Sequence, residues 1–320
     1  MILGVALRIQ EPSDEPSEAP VLVTVTGGVP SWPVARATAR TASRACVALD
    51  LTGARTAAVA AIRVGGPCAP ALRPVVGSGV ATIVRGGHSV TGRRLAPLDT
   101  EAVRRFAAAC GLADFAVTAT GSPMLTEHEL AVAAIIAAEV PDARITLSYE
   151  FGHPGLRERE ANAIRNAALG PEAGRIADEV ARELPGVPAY FARSGSGLVS
   201  AHYFRRFPLA CDLGATASGE RGRAELGEAG RKAPDGVAAA YGAALAEPEA
   251  QVERIVQARG RAELERVLQD ARDEALTRVV SAGAAPGSAR IAETTVNPLS
   301  YLPDGLYRVR VTAGGRPWAG

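Results

Sequence analysis

The chain has 320 residues, and its 35 basic and 34 acidic side chains leave a formal net charge of +1 at pH 7. This balance gives no electrostatic reason to expect a nucleic acid or an anionic membrane surface as a partner. No run of about 18 apolar residues is free of charge, so no transmembrane helix is predicted. The apolar start at residues 1–7 has no basic region before it and no cleavage site after it, so we expect a cytoplasmic protein.

The side chains that most often bind metals are scattered. Cys46, Cys68, Cys110 and Cys211 each lie among small or apolar residues, which predicts free thiols in the interior. No two histidines have the HxH or HxxxH spacing of metal ligands, so no metal site is predicted.

The first hundred residues carry weak structural patterns. Residues 11–20 read EPSDEPSEAP, a Pro- and acid-rich run that cannot bury itself, and we expect residues 1–20 to be disordered. Short apolar runs separated by Gly and Pro clusters then predict strands and turns at 21–25, 57–64 and 80–84.

Strands and helices alternate from residue 99 onward. Asp99 is a good N-cap for a first helix, and a strand is predicted at 115–119. Thr126 and Glu129 have the spacing of a capping box for a second helix, and a strand is predicted at 144–149. This alternation indicates parallel βαβ units.

The chain continues with two helices, predicted at 156–169 and 172–184, and a strand at 187–192. A helix of small residues is predicted at 236–246, and an amphipathic helix at 262–282 is expected to pack its apolar face against it. Two strand-like segments, 289–297 and 307–312, complete the chain. We therefore expect an α/β core domain over residues 21–230 and a C-terminal helical and strand region over residues 231–320.

A polar cluster extends from the end of one predicted strand into the next helix. It contains Ser148, Glu150, Glu158, Arg159, Glu160 and Asn162. Open α/β sheets bind ligands at the carboxyl ends of their strands, which favours a binding or catalytic site here. The alternative is a solvated helix start whose acidic residues interact favourably with the helix dipole.

Two glycine-containing segments are weaker candidates. Residues 195–200 approach the GxGxxG pattern of dinucleotide sites, but the third glycine is Ser200, so an ordinary tight turn is the favoured interpretation. Residues 214–222 combine glycines with hydroxyls, and Ser218 and Gly219 could present backbone N–H groups to an anion. An ordinary loop is the equal alternative for this segment.

The run ITLSYEFGHPGLREREANAIRNAAL, residues 145–169, resembles the A subunit of the hydantoinase/oxoprolinase family. Residues 80–98, 115–130 and 187–222 are similar to the family's flanking blocks in the same order, as are 235–246 and 262–312 in the C-terminal part. The resemblance implies an α/β fold, the remnant of an actin/sugar-kinase/Hsp70-like fold with parallel βαβ units and a C-terminal helix plus short strands.

The chain departs from the family where ATP would bind. Family members begin with an acidic residue and a Gly-Gly-Thr turn that binds phosphate, and residues 1–40 contain nothing like it. Residues 223–234 stand in place of the second such turn and the region after it. The resemblance therefore implies a hydrolase that opens a cyclic amide, of the hydantoin or 5-oxoproline class, without an ATP site or other cofactor of its own.

If the chain is an enzyme, Glu150 or Glu158 is the expected general base, and Arg159 is expected to bind a carboxylate or a developing oxyanion. The residues expected to contact the substrate are Ser148, Asn162, Ser218 and Gly219. The alternative is a non-catalytic homologue, a pseudoenzyme that serves as a binding or scaffold subunit.

The missing ATP-binding region should leave apolar surface uncovered, and soluble monomers rarely expose large apolar patches. We therefore expect self-association or a partner similar to the hydantoinase B subunit.

Overall fold

The computed structural model describes residues 2–7, 21–24, 42–66, 69, 72–122, 124–152, 155–299 and 305–318. The disorder expected over residues 1–20 does not hold for residues 2–7, which form a strand, whereas residues 8–20 lie outside the described residues. Within the described ranges, none of the helices combines the length and the apolar character needed to cross a membrane.

The described residues form twelve strands in three sheets. The strands are β1 (Ile2–Leu7), β2 (Val21–Thr24), β3 (Arg44–Leu49), β4 (Val59–Gly65), β5 (Gly79–Arg85), β6 (Asp114–Ala119), β7 (Arg144–Leu147), β8 (Ala189–Ala192), β9 (Leu198–Ser200), β10 (Glu249–Gln257), β11 (Arg290–Pro298) and β12 (Leu306–Gly314).

The same ranges also contain eight α-helices. They are α1 (Thr100–Ala109), α2 (Glu127–Glu139), α3 (Leu156–Glu183), α4 (Ala201–Arg206), α5 (Gly214–Leu226), α6 (Glu228–Lys232), α7 (Asp235–Ala244) and α8 (Arg261–Ser281). Short 3-10 helices cover Ser148–Phe151, Pro208–Cys211 and Pro286–Ser288.

The first sheet has the strand order β2-β1-β3-β8-β9. Its three central strands are parallel, and the two outer strands pair with them in antiparallel register. The predicted segment at 21–25 is confirmed as β2, whereas β1 and β3 were not predicted. The central strands are almost wholly buried, as is usual for parallel strands that are covered on both faces.

The second sheet, β5-β4-β6-β7, is entirely parallel and confirms the predicted βαβ units. Alternate residues of its strands point to opposite faces, so Ile62 and Val117 pack on α1 and α2 while Ala61 and Ala116 pack on α3. From β4 the chain first adds β5 on one side and then β6 on the other. This reversal between β4 and β6 is the position where open α/β sheets bind ligands.

A single helix, α3, replaces the two helices predicted at 156–169 and 172–184, although Pro171 lies inside it. Proline lacks the N–H of an ordinary helix bond and crowds the preceding turn. In the turn before Pro171, the carbonyl oxygen of Ala168 accepts a hydrogen bond from the backbone N–H of Ala57 at 2.8 Å. The helix continues because its first half packs on the second sheet and its second half on the first.

The small-residue helix predicted at 236–246 is confirmed as α7, but its packing partner differs from the prediction. It lies against β1, β3 and α5, where a Cβ added to Gly242 would stand 1.9 Å from the Ser218 carbonyl oxygen. The backbones of α5 and α7 thus approach too closely for a larger residue. The helix predicted as part of the C-terminal region therefore completes the layer over the first sheet.

The amphipathic helix predicted at 262–282 is confirmed as α8, and it covers the third sheet instead of α7. This sheet has the order β10-β12-β11 and is wholly antiparallel. Leu268, Ala271 and Val279 of α8 are buried against its inner face. The predicted apolar face is thus correct, and strands that precede and follow α8 in the chain together provide its partner.

We expect Leu268→Ala to lower the free energy of unfolding by about 2–5 kcal/mol, because it removes a buried side chain and leaves a cavity between α8 and the third sheet. Chemical denaturation monitored by circular dichroism measures the change. Leu245→Ala, at a leucine that is 41% exposed, is the matched control and should change stability far less. Equal effects of the two substitutions would contradict the packing of α8.

Candidate functional site

Glu129 is fully buried at the carboxyl end of the second sheet. One of its oxygens, Oε1, accepts hydrogen bonds from the backbone N–H of Ala119 at 2.9 Å and from the Ser148 hydroxyl at 2.6 Å. Its Oε2 accepts the backbone N–H of Tyr149 at 3.2 Å. The Thr126 side chain makes no capping hydrogen bond, so the predicted capping box is wrong. The carboxyl group of Glu129 binds the ends of β6 and β7 instead.

Arg159 joins the same group of side chains from α3. Its Nη2 donates to the carbonyl oxygen of Ala119 and to the Ser122 hydroxyl, each at 3.3 Å. Burial lowers the pKa of Arg159, although the nearby charges of Glu129 and Glu158 act in the opposite direction. We call Glu129, Ser122, Ser148 and Arg159 the Glu129 network.

Burial raises the pKa of Glu129, and the hydrogen bonds that it accepts only partly oppose this rise. All four members of the Glu129 network are 1% exposed or less, so solvent does not reach them. The network ties α2 and α3 to the strand ends. It can fix the loops above the sheet, but its enclosed members do not offer a surface to a ligand.

The two carboxylates expected to act as a general base take different positions. Glu150 accepts a hydrogen bond from Nη2 of Arg206 at 3.0 Å, and its side chain is 11% exposed. Glu158 is exposed in the first turn of α3, and its carboxylate lies where a Cβ on Gly155 would be. Glu158 is near enough to influence the pKa of Arg159, whereas no described contact joins Glu150 to either of them.

The residues expected to contact the substrate are also divided. Ser148 belongs to the Glu129 network, and Asn162 is half-buried one turn after Glu158 on α3. Ser218 and Gly219 lie far along the chain in α5, because the segment predicted as a loop at 214–222 is helical. Both are buried where α5 meets α7, so the predicted site residues occupy two separate parts of the fold.

The GxGxxG-like segment is a hairpin turn. It joins the antiparallel strands β8 and β9, with the backbone N–H of Arg193 donating to the Gly197 carbonyl oxygen at 3.1 Å. Gly197 has a φ of +79°, which glycine adopts readily. A dinucleotide site of the expected kind needs a glycine turn between a parallel strand and a helix, and this geometry does not provide one.

An open cavity of about 610 Å³ lies beside the first sheet, and we call it the Asp50 cavity. It is bounded by the ends of β1 and β3 and by the first turns of α5 and α7. The residues that line it are Ala6, Leu7, Asp50, Thr52, Gly53, Ala215, Thr216, Gly219, Glu220, Arg223, Asp235, Gly236 and Ala239. Its volume falls within the range of small-molecule pockets, roughly 300–1,000 Å³.

Asp50 is half-buried on the wall of this cavity, directly after β3. Its Oδ1 accepts the backbone N–H groups of Ala215 at 2.9 Å and Thr216 at 3.1 Å, and its Oδ2 accepts the Thr216 hydroxyl at 2.7 Å. The carboxylate thereby occupies the amino end of α5, where negative charge is favourable. A carboxylate can accept about four hydrogen bonds, so Oδ2 retains capacity for one more donor.

The sequence prediction missed Asp50 because it missed β3. The strand reads RACVAL, where three small residues dilute the β-branched signal. The detectable signal was an apolar run that ends in Asp-Leu-Thr-Gly, a polar turn after a strand. The donors to Asp50 come from α5, about 165 positions later in the chain, and no local pattern connects the two.

The charged residues that line the Asp50 cavity are mostly acidic. Phosphates bind helix N-termini through free backbone N–H groups, but Asp50 accepts those of Ala215 and Thr216, the second and third residues of α5. Glu220 and Asp235 add negative charge to the wall, and the guanidinium of Arg223 is paired with Asp235. A polyanion would meet more carboxylates than cations in this cavity.

No protein-family model matches the chain, and no curated protein matches it. The solved structures with a similar fold include two ATP-dependent enzymes. An ATP-dependent caprolactamase from Pseudomonas jessenii aligns with 71% of this chain and 40% of its own, with a TM-score of 0.54 and 15% sequence identity. The nucleotide-free structure of acetone carboxylase, described for ATP-dependent acetone carboxylation, also aligns with 71% of this chain and 40% of its own, with a TM-score of 0.51 and 11% identity.

The aligned part thus corresponds to less than half the length of each neighbour. Identities this low establish a shared fold and leave activity open. The predicted fold class, mixed α/β with parallel βαβ units, is confirmed. At the level of the fold, the chain is similar to these two enzymes, an ATP-dependent caprolactamase and an acetone carboxylase.

Proposed function

We propose that this protein binds a cyclic amide of the hydantoin or 5-oxoproline class in the Asp50 cavity and hydrolyses the ring C–N bond without an ATP site of its own. The observation that carries the proposal is the Asp50 carboxylate, fixed by α5 on the wall of an open cavity of ligand size. The fold shared with a caprolactamase, an enzyme named for a cyclic amide, supports the same substrate class.

The proposed chemistry follows from the donors and acceptors on the cavity wall. A carboxylate with acceptor capacity can take a proton from water as the water oxygen attacks the ring carbonyl carbon. The C–N bond then breaks, its electron pair stays on nitrogen, and the abstracted proton is delivered to that nitrogen. The Thr52 hydroxyl and the Arg223 guanidinium are the wall groups that could donate hydrogen bonds to the carbonyl oxygen as it gains charge.

The base assigned from the sequence is a competing proposal within the same function. Glu150 or Glu158 would replace Asp50 as the proton acceptor, with Arg159 binding the oxyanion. The substrate contacts would then be those expected of Ser148 and Asn162. Gln variants of the two glutamates, tested in the assay described below, distinguish this site from the Asp50 cavity.

A non-catalytic binding subunit is the second candidate function. It is favoured by the separation of the residues expected to be catalytic, since Glu150 pairs with Arg206 and Arg159 is enclosed in the Glu129 network. Under this proposal the Asp50 cavity binds a cyclic amide without turnover. We also propose a cytoplasmic location. We further propose that the chain associates with itself or with a partner similar to the hydantoinase B subunit. Light scattering of the purified chain would detect the self-association.

We expect Asp50→Asn to lower the rate of ring opening at least about 100-fold, because an amide cannot act as a general base. Asparagine is also a good residue at a helix N-terminus, so the variant should fold. The assay follows hydantoin, 5-oxoproline and caprolactam by chromatography with and without Mg-ATP, beside calorimetric titration of each compound. Asp142→Asn, at an exposed position, is the control.

Three outcomes separate the candidates. Ring opening that Asp50→Asn abolishes and Asp142→Asn preserves supports the hydrolase centred on Asp50. Binding without ring opening in the native chain supports the binding subunit. If none of the three compounds binds, or if Asp50→Asn leaves ring opening unchanged, the Asp50 proposal is wrong.

A further inference from the structure

A second cavity, of about 410 Å³, lies where β4, the segment before β5 and the first turns of α3 meet. It shares no lining residue with the Asp50 cavity. Its floor is the ion pair of Arg63 on β4 with Glu160 on α3, and both side chains are buried. The guanidinium of Arg63 also donates to the carbonyl oxygen of Leu72 at 2.5 Å. The floor is therefore electrically balanced and rigid.

The rim of this cavity carries two further arginines, and we call the cavity the Arg73/Arg157 groove. Both are exposed, and within the described part of the chain neither has an acidic partner within ion-pair distance. The charged groups lining the groove are thus three arginines and one glutamate, a net charge of +2. Many other surface arginines of this chain are paired, for example Arg175 with Glu172 and Glu179.

The walls between the two rim arginines are apolar. Leu72 and Val75 line one side at 44% and 88% exposure, and Ala161 and Ile164 of α3 line the other. Between Leu72 and Val75, Pro74 is buried and fixes the backbone, which restricts Arg73 to an extended conformation. Arg73 and Val75 therefore flank a buried proline.

We infer that the Arg73/Arg157 groove binds a small carboxylate that carries a short apolar chain. Arginine guanidinium groups form strong charge-assisted hydrogen bonds with carboxylates. The apolar walls would remove the chain of the ligand from water, and the paired floor would not compete for its charge. Pockets that bind small molecules combine apolar walls with a few polar groups in this way. The inference is independent of the function proposed for the Asp50 cavity.

Calorimetric titration of the full chain with hexanoate tests the inference. Hexylamine has the same number of carbon atoms with the opposite charge, and acetate has the charge without the long chain. Hexanoate should bind saturably, and both other compounds should bind at least about ten-fold more weakly. Failure of hexanoate to bind, or equal binding of hexylamine, would overturn the inference.

Two variants locate the binding. Arg73→Gln/Arg157→Gln should weaken hexanoate binding at least about ten-fold, and Arg266→Gln, at an exposed arginine on α8, should not change it. Ala161→Phe keeps both arginines and fills the groove from an exposed helix position, so it should weaken binding to a similar extent. Native affinity in either groove variant would show that hexanoate binds elsewhere and would overturn the inference.

Discussion

Replacement of Arg63 by methionine should lower the free energy of unfolding by about 3–5 kcal/mol. The guanidinium and the Glu160 carboxylate form a two-pronged ion pair, with Nε to Oε1 at 2.8 Å, and the two side chains are 9% and 7% exposed. Removing one partner leaves the other as a buried charge without compensation. The loss is therefore much larger than the net contribution of the pair to stability.

The double variant Arg63→Met/Glu160→Met should be much closer to the native chain than the single variant. It replaces a buried ion pair by apolar side chains of similar length, a change that is often neutral or stabilising. Chemical denaturation of the native chain, both single variants and the double variant gives the coupling energy of the pair.

Arg104→Met is the matched control, because Arg104 pairs with Glu101 at the surface and both side chains are more than half exposed. Such a pair contributes about 0–1 kcal/mol. If Arg63→Met costs no more than this control, or if the double variant is as unstable as the single one, the buried pair is not what joins β4 to α3.

The sequence predicted most of the second sheet and less of the first. Strands such as β4 and β6 contain enough valine, isoleucine or phenylalanine to be recognised, and Asp99 caps α1 as expected, accepting the backbone N–H of Ala102. The strand β3 was missed because small residues dominate it. A small residue suffices there because α7 and α5 approach the first sheet closely, and that packing depends on parts of the chain far away.

Two predictions, the helix end near Pro171 and the capping box at Glu129, were wrong because each relied on a local sequence pattern. Pro171 marks a helix end in most sequences, but α3 continues past it because it is buried against two sheets. Glu129 stands three residues after Thr126, as in a capping box, yet its carboxyl group binds Ala119 and Ser148. The spacing alone cannot distinguish a glutamate that caps a helix from one that binds strand ends, because those strand ends lie outside the local sequence.

The candidate site was predictable only in part. The polar cluster at 148–162 does begin at the carboxyl end of a strand, as expected, but its members take part in separate contacts. The Asp50 cavity joins β1, β3, α5 and α7, which are spread over most of the chain. Ser218 and Gly219 were chosen as loop residues, and of the two only Gly219 lines this cavity, from within a helix.

The second large effect should be a pH dependence caused by Glu129. Burial raises the pKa of this carboxyl group in the folded chain above its ordinary value of 4.5. Below pH 4.5 the group is protonated in both the folded and the unfolded chain. As the pH rises past that value, the unfolded chain releases the proton first, so it binds fewer protons than the folded chain and is favoured.

The free energy of unfolding should therefore fall by about 1.4 kcal/mol per pH unit between the unfolded and the folded pKa of Glu129, and level off above the folded pKa. Glu129→Gln has no proton to release at this position. The Gln variant carries a constant cost of about 1–3 kcal/mol, because its amide group can accept only part of the present hydrogen bonds. The stability advantage of the native chain over this variant should shrink as the pH rises.

Chemical denaturation of both chains at a series of pH values from 4 to 8 measures this difference, and subtraction removes the titration of all groups that they share. Glu139→Gln is the matched control, because Glu139 lies in the same helix α2 but is exposed. Its difference from the native chain should stay nearly constant over the same series. A native advantage over Glu129→Gln that stays constant or grows with pH would mean that the pKa of Glu129 is not raised in the folded chain. The network would then hold a buried carboxylate balanced by the Arg159 guanidinium.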